Sequence, residues 1–276
     1  MKFNVIAGMP RAGSTLLCNI LNQNPRFYAS STSCIAQTVR SISGFWSRSP
    51  EVKSELINDK EKTEARMIGA VRALVEGWYK DLDAEVVFDK GRFWNLGAPL
   101  LRQLFPDAHM FVCVRDLRMI FASVEKQHEK NPMIDEADNA AELTKYNRAD
   151  RMFGPQGILG QQIMGIEDLM RRNLHDADGK PYVHTIQYET FAQNPQLVLD
   201  RIYTVLGEKP FEHDFENVKP SAGSTDVDGL YNYKYPHEGI GKVEARPEDW
   251  REYVPPDIAS LIMQKFAAYN RAFGYQ

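Results

Sequence analysis

The stretch that most constrains the fold is residues 3–21, FNVIAGMPRAGSTLLCNIL. Phe3 to Ala7 is a short apolar run rich in strand formers. Gly8 and Pro10 stop it, and the helical pattern TLLCNILNQ follows without a linker. Strand, tight turn and helix in that order converge backbone N–H groups and a helix N-terminus on one point, which is a cup for an anion. Gly8 and Gly13 have the spacing of G-x-x-x-x-G-K-[ST], but Ser14 stands at the lysine position and Thr15 at the hydroxyl position. The lysine of that pattern reaches the terminal phosphates of a nucleoside triphosphate. Without it an ordinary triphosphatase is disfavoured, and Arg11 supplies the positive charge from within the loop.

The remainder repeats the same alternation. EVVFD ending at Asp89 and HMFVCVRD ending at Asp116 read as strands, each followed by a helical pattern, NLGAPLLRQLF and LRMIFASVEKQ. Residues 158–172 make another helix. PYVHTIQYE then reads as a fourth strand, NPQLVLDRIYTVLG as a helix closed by Gly207, and PPDIASLIMQKFAAYNRAF as one last helix. Strands alternating with helices imply parallel βαβ units, so the expected class is α/β: a parallel sheet flanked by helices, of P-loop NTPase-like type. Residues 58–80 place Met67, Val71, Leu74, Val75 and Trp78 at helical spacing, which predicts an amphipathic helix buried on that stripe. No repeat or Pro/Gly linker divides the chain. A single domain over 1–276 is expected, with helical elaborations at about 35–80 and 130–175. Residues 219–244 lack periodicity, and a loop of that length is usually a lid or disordered.

Charge and cysteine usage narrow the function classes. A net charge of −4 gives no global positive field for nucleic acid or an anionic membrane, so neither is an expected partner and any anion site has to be local. Cys18, Cys34 and Cys113 show no metal-ligand spacing and no even disulfide set, and two of them lie in apolar runs expected to be buried, so they read as small core residues in a reducing compartment, and no metal is expected. The chain enters its first strand without a basic leader, and no apolar run is long enough to span a bilayer. A cytoplasmic location without a membrane anchor is the expectation.

The segment P-R-A-G-S-T-L-L, Pro10 to Leu17, resembles the P-R-S-G-T-T-L segment of PAPS-dependent sulfotransferases, most closely their tyrosylprotein-type and bacterial members. The resemblance implies the sulfotransferase fold, with Arg11, Ala12, Gly13, Ser14 and Thr15 around the 5′-phosphosulfate of 3′-phosphoadenosine-5′-phosphosulfate (PAPS). It continues in V-C-V-R-D-L-R-M-I-F-A-S, which is similar to the family's V-x-R-D-P-R-D-x-x-x-S and implies Arg115 and Ser123 at the 3′-phosphate. That spacing is physically sound, since Arg115 leaves the C-terminal end of a strand and Ser123 lies about two turns into the next helix. Q-Y-E-T-F-A-Q-N-P resembles the family's Y-E-[DQ]-L-x-x-x-P and implies that Tyr188 approaches the nucleotide. V-V-F-D-K-G-R-F-W-N places Lys90 where the family keeps a lysine that stabilises charge on the bridging oxygen, with Arg11 assisting. Y-K-Y-P-H-E-G-I-G-K-V-E is loosely similar to the family's R-K-G-x-x-G-x-W lid and implies a contact from Lys242. The implied activity is transfer of the sulfuryl group from PAPS, as donor, to a hydroxyl or amine acceptor, releasing 3′,5′-adenosine bisphosphate.

Two positions depart from the family. Arg92 stands where many members have a catalytic histidine, and S-S-T-S, Ser30 to Ser33, stands where tyrosylprotein members have G-E-E-T with its catalytic glutamate. On chemical type alone, His237 in the lid and His128 after the second motif are candidate bases. The Ser/Thr wall suggests a polar acceptor. Two other functions stay open: a P-loop kinase of a small metabolite, which needs a loop lysine and a metal-holding acid, and a nucleotide-binding module without catalysis, which can dispense with Lys90.

Overall fold

The computed structural model describes residues 1–130, 144–220, 239–245 and 249–276. The turn pattern at the start forms as expected: β1 (Lys2–Gly8) runs into α1 (Ser14–Leu21) through five loop residues. β2 (Phe27–Ala29) follows, a strand the sequence does not advertise, since three residues show no alternation. The first helical elaboration consists of α2 (Ile35–Trp46), α3 (Pro50–Asn58) and α4 (Lys60–Trp78). Ser49 and Asp59 cap α3 and α4 by accepting from Val52 and Lys62 N–H groups, which satisfies amides that lack intrahelical partners.

β3 (Val86–Lys90) leads through a 3₁₀ turn, Arg92–Leu96, to α5 (Ala98–Leu104), and β4 (Met110–Val114) leads to α6 (Leu117–Lys130). α7 (Lys145–Phe153) and α8 (Ile158–Arg172) precede β5 (Val183–Gln187), α9 (Tyr188–Gln193) and α10 (Pro195–Leu206). Asn194 caps α10 through Leu197 N–H, and Gly207 closes the helix as the sequence predicts, in the left-handed region. The final helical pattern is two helices rather than one: α11 (Pro256–Lys265) and α12 (Ala267–Phe273), broken at Phe266, whose φ of −113° leaves the helical region.

Among the described residues the five strands are all parallel, in the order β2-β3-β1-β4-β5. β1 lies between β3 and β4, and the connections leaving β1 and β4 depart to opposite sides. That divergence creates a crevice at the carboxyl ends of the strands, where open α/β sheets bind their ligands. Both faces are covered. On one, Phe3 packs with Tyr79, Trp94 and Phe105; on the other, Phe88 packs with Phe27 and Phe111, and Phe27 stacks on Tyr203 of α10.

The buried stripe of α4 differs from the expectation. Val71 and Val75 are buried, but the stripe continues to Tyr79, while Trp78 is 60% exposed. The row at i, i+4, i+8 fixes the core face, and Trp78 lies one residue out of phase with it. Cys18 and Cys113 are buried and Cys34 is exposed. Burial pushes both buried thiols up to about 12, so they are inert core groups. Among the described residues no helix is long and apolar enough to cross a membrane.

Candidate active site

The loop after β1 is wound tightly. Gly8 has φ 122° and lies against β4, where a Cβ would sit 2.1 Å from the Cys113 carbonyl oxygen, so only glycine lets the two strands approach. Arg11 adopts φ 62°, a left-handed conformation that non-glycine residues rarely take and that concentrates at functional sites. Gly13, also left-handed, is the N-cap of α1; it contributes no side-chain cap, so the first amides of the helix open toward the crevice.

The two anion motifs meet. Arg11 Nε donates to Ser123 Oγ at 3.1 Å, and Arg115 donates through a terminal guanidinium nitrogen to the Arg11 carbonyl at 3.0 Å, across 104 residues of sequence. Arg115 is 8% exposed, and its guanidinium stacks 4.1 Å from the centre of the Tyr188 ring. Tyr188, at the start of α9, lies directly beneath Gly13, where a Cβ would come within 2.8 Å of its ring. Lys90 ends β3, and its Nζ donates to Thr15 Oγ1 at 2.8 Å, which ties the end of the second predicted strand to the start of α1.

Arg11, Gly13, Ser14, Thr15, Lys90, Arg115 and Tyr188 line one cleft of about 540 Å³, within the range of small-molecule sites, whereas Ala12 and Ser123 lie outside its lining and Ser123 is joined to it through Arg11. Among the described residues its wall carries six cationic side chains, Arg11, Lys90, Arg92, Arg115, Lys130 and Lys242, against one carboxylate, Glu244. A chain with net charge −4 thus gathers positive charge at one place. Such a cleft attracts a polyanion and meets charge that develops on it.

Other sequence candidates are placed less centrally. Lys242 borders the cleft but is paired with Glu216 at 3.0 Å, an exposed ion pair that raises its pKa. The strand-like stretch at Gly239–Val243 is held by Asn19, whose side-chain amide donates to the Gly239 carbonyl, and by Val218, which pairs with Gly241. His237 and most of the lid-like loop lie outside the described residues. On α6 the cleft wall is formed by Gln127 and Lys130, and His128 is not part of it. Of the Ser/Thr wall, Thr32 and Ser33 face the cleft whereas Ser30 and Ser31 are buried. Ser30 positions the end of β3, because its hydroxyl accepts from the Lys90 N–H at 2.8 Å. Arg92 faces the cleft from the first position of the 3₁₀ turn.

Two residues beside the cleft carry no motif signal: Asp89, which reads in sequence only as a strand end, and Tyr79. Asp89 is fully buried and accepts from the Tyr79 hydroxyl and from Trp94 Nε1, the latter at 2.6 Å. Burial pushes its carboxyl above the usual range, against the hydrogen bonds from Ser33, Tyr79 and Trp94. An acid next to a lysine at a strand end points to the opposite face of the sheet, a signal that becomes readable once the strand register is known.

Three solved structures share this architecture. The sulfotransferase domain from the curacin biosynthetic pathway aligns with a TM-score of 0.57 at 11% identity, over 97% of this chain and 98% of that one. The sulfotransferase domain from the Synechococcus PCC 7002 olefin synthase gives 0.53 at 19% identity, over 97% and 94%. Mouse sulfotransferase SULT7A1, solved in complex with PAP, gives 0.51 at 11% identity, over 98% and 84%. At these identities the likeness is one of fold. No curated protein sequence matches the chain. The sequence pattern of the Sulfotransferase family matches residues 5–213, well over half of the chain, and with the parallel sheet and its cationic crevice this establishes that the chain belongs to the sulfotransferase family.

Proposed function

We propose that this sulfotransferase moves the sulfuryl group of PAPS to a hydroxyl or amine acceptor and releases 3′,5′-adenosine bisphosphate. The observation that carries the reading is the junction of the two anion motifs, in which Arg11 meets Ser123 and Arg115 meets the Arg11 backbone. A donor with phosphate groups on the 3′ and 5′ positions of one ribose suits a site in which two cationic segments share one wall. The mouse structure with PAP is consistent with the same class of ligand. We take residues 1–276 as one catalytic domain, with 219–244 as its lid.

In this reading the loop amides from Arg11 to Thr15 hold the 5′-phosphosulfate, and Arg115 and Ser123 hold the 3′-phosphate. Tyr188 supports Arg115 by stacking on its guanidinium. Lys90 acts at the bridging oxygen: as the acceptor oxygen bonds to sulfur and the bond from sulfur to the phosphate oxygen breaks, negative charge gathers on the leaving oxygen. A fixed ammonium stabilises that charge more than it stabilises the ground state. Arg11 assists, and Lys242 contributes from the lid. Cationic side chains neutralise the charge here, so transfer is expected to persist in EDTA.

The acceptor side, with Thr32, Ser33, Gln37 and Arg92, favours a polar acceptor. A kinase reading would need a lysine where Ser14 stands. Thermal-shift titration tests the reading: 3′,5′-adenosine bisphosphate should stabilise the protein, and ATP with Mg²⁺ should not. Stabilisation by ATP with Mg²⁺ alone would favour the kinase.

A further inference from the structure

Transfer to a hydroxyl leaves a proton to be removed, and a positioned base contributes about 10²–10⁴ in rate. At the family's base positions this chain has Arg92, a guanidinium that stays protonated, and the hydroxyls of Ser30 to Ser33. A carboxylate does reach the cleft, by an indirect route. Strand alternation sends Lys90 to the α1 face of the sheet and Asp89 to the opposite face, beneath α4. There the Tyr79 hydroxyl donates to Asp89 Oδ1. With that proton committed, the Tyr79 oxygen is an acceptor, and Ser33 Oγ lies 3.4 Å from it. Ser33 Oγ itself accepts from the Ile35 N–H at 3.0 Å and lines the cleft that holds Lys90. A hydroxyl has one proton and two lone pairs. With its single proton turned inward toward the Tyr79–Asp89 pair and one lone pair taken by Ile35, the remaining lone pair is available to the cleft.

We propose that Ser33, Tyr79 and Asp89 form a proton relay that deprotonates the acceptor, with Ser33 as the catalytic residue touching the acceptor and Asp89 as the terminal base acting through it. This rests on the sulfuryl-transfer reading above. As the acceptor oxygen bonds to sulfur, its proton passes to Ser33 Oγ, the Ser33 proton passes to the Tyr79 oxygen, and the Tyr79 proton passes to Asp89. The electron pair of the broken bond leaves on the 5′-phosphate oxygen of the bisphosphate. The carboxylate becomes a carboxylic acid and returns its proton along the same chain after the product departs. Consecutive residues then divide the chemistry: Asp89 takes the proton and Lys90 meets the charge of the leaving group.

The direction of the Asp89 shift suits this role, since burial raises a carboxyl toward the working range of a base. The ionisable groups on its own face of the sheet are Tyr79, just past α4, and Tyr28 from β2, while Cys18 from α1 and the adjacent Lys90 lie across the sheet. The tyrosines and the cysteine are all shifted upward and stay neutral below pH 9, which leaves Asp89 to set the acid limb of the rate.

The test measures single-turnover formation of the bisphosphate from PAPS against pH, first with water as acceptor and then with p-nitrophenol above its pKa as an ionised acceptor. Wild type, Ser33→Ala, Tyr79→Phe and Asp89→Asn are compared, with calorimetric affinity for the bisphosphate on each. Ser33→Ala, at the cleft wall, keeps the fold measurable if Asp89→Asn does not. The expected result is a loss of about 10²-fold or more with water and flattening of the acid limb, bisphosphate affinity within a few-fold of wild type, and a several-fold smaller loss with the ionised phenol. Equal losses for both acceptors, or an unchanged rate in Ser33→Ala, overturn the relay. Absence of bisphosphate binding by wild type would instead overturn the donor reading.

Discussion

At the scale of single residues the site separates binding from chemistry. Lys90 is fixed by Thr15 at 2.8 Å, and its role in the proposed reaction arises as the leaving oxygen gains charge. Lys90→Ala should therefore lower kcat by about 10²-fold or more while bisphosphate affinity changes only a few-fold, because an interaction realised in the transition state acts on kcat. Lys90→Arg should restore only part of the rate, since a planar guanidinium cannot keep the place of a compact ammonium. Single-turnover kinetics beside calorimetry reads both, and near-normal turnover in Lys90→Ala would remove the catalytic assignment. In the proposed function Arg115 belongs to binding. Buried against Tyr188 and bonded to the Arg11 carbonyl, it should recognise the 3′-phosphate, so Arg115→Ala should weaken the 3′,5′-bisphosphate by about tenfold or more and AMP far less. Equal losses for the two nucleotides, measured by titration calorimetry, would move Arg115 away from the 3′ site.

At the scale of elements, the close approach of β1 and β4 decides whether the two anion motifs meet. Met9 N–H donates to the Cys113 carbonyl at 2.9 Å, and Gly8 is in register with Cys113. Gly8→Ala would place a methyl 2.1 Å from that carbonyl oxygen in a conformation with φ 122°. Backbone strain of this kind costs about 1–3 kcal/mol before the clash is counted, so urea unfolding should show a loss at or above that range or no folded protein. Stability near wild type would mean that the strands can separate locally, and the argument for a fixed junction of the motifs would fail with it.

At the scale of the whole molecule, acid should loosen the face of the sheet formed by α1 and α10. His213 is buried against Tyr203, with its Nε2 3.1 Å from the Tyr203 hydroxyl, while Asn24 donates to the same hydroxyl at 2.9 Å. Burial lowers its pKa from 6.5 to about 4. Because the folded value lies below the unfolded one, the contribution to stability is complete above pH 6.5 and is lost as pH falls toward 4. His184, lowered to about 4 by burial and then by His109, adds a loss in the same window. Urea unfolding between pH 7 and pH 4 should show a fall on the order of 2 kcal/mol per histidine once solvent screening is allowed for, and His213→Phe should remove one share of the pH dependence. An unchanged slope in that variant would exclude His213 as a source.

Much of this protein is legible in its sequence because the decisive signals are local. Glycine spacing and the switch from strand to helical periodicity mark the tight turn at residues 8–15, and Gly207 marks the end of one helix. The βα alternation carries the fold class, because parallel strands need crossover helices. Tertiary structure alone decided the rest. β2 is too short to alternate, and the buried face of α4 depends on which neighbour it meets, so Tyr79 rather than Trp78 turned inward. The meeting of Arg11 with Ser123 and the link from Asp89 through Tyr79 toward Ser33 join residues on separate elements. Such contacts follow from strand order and register, which no local pattern of residues encodes.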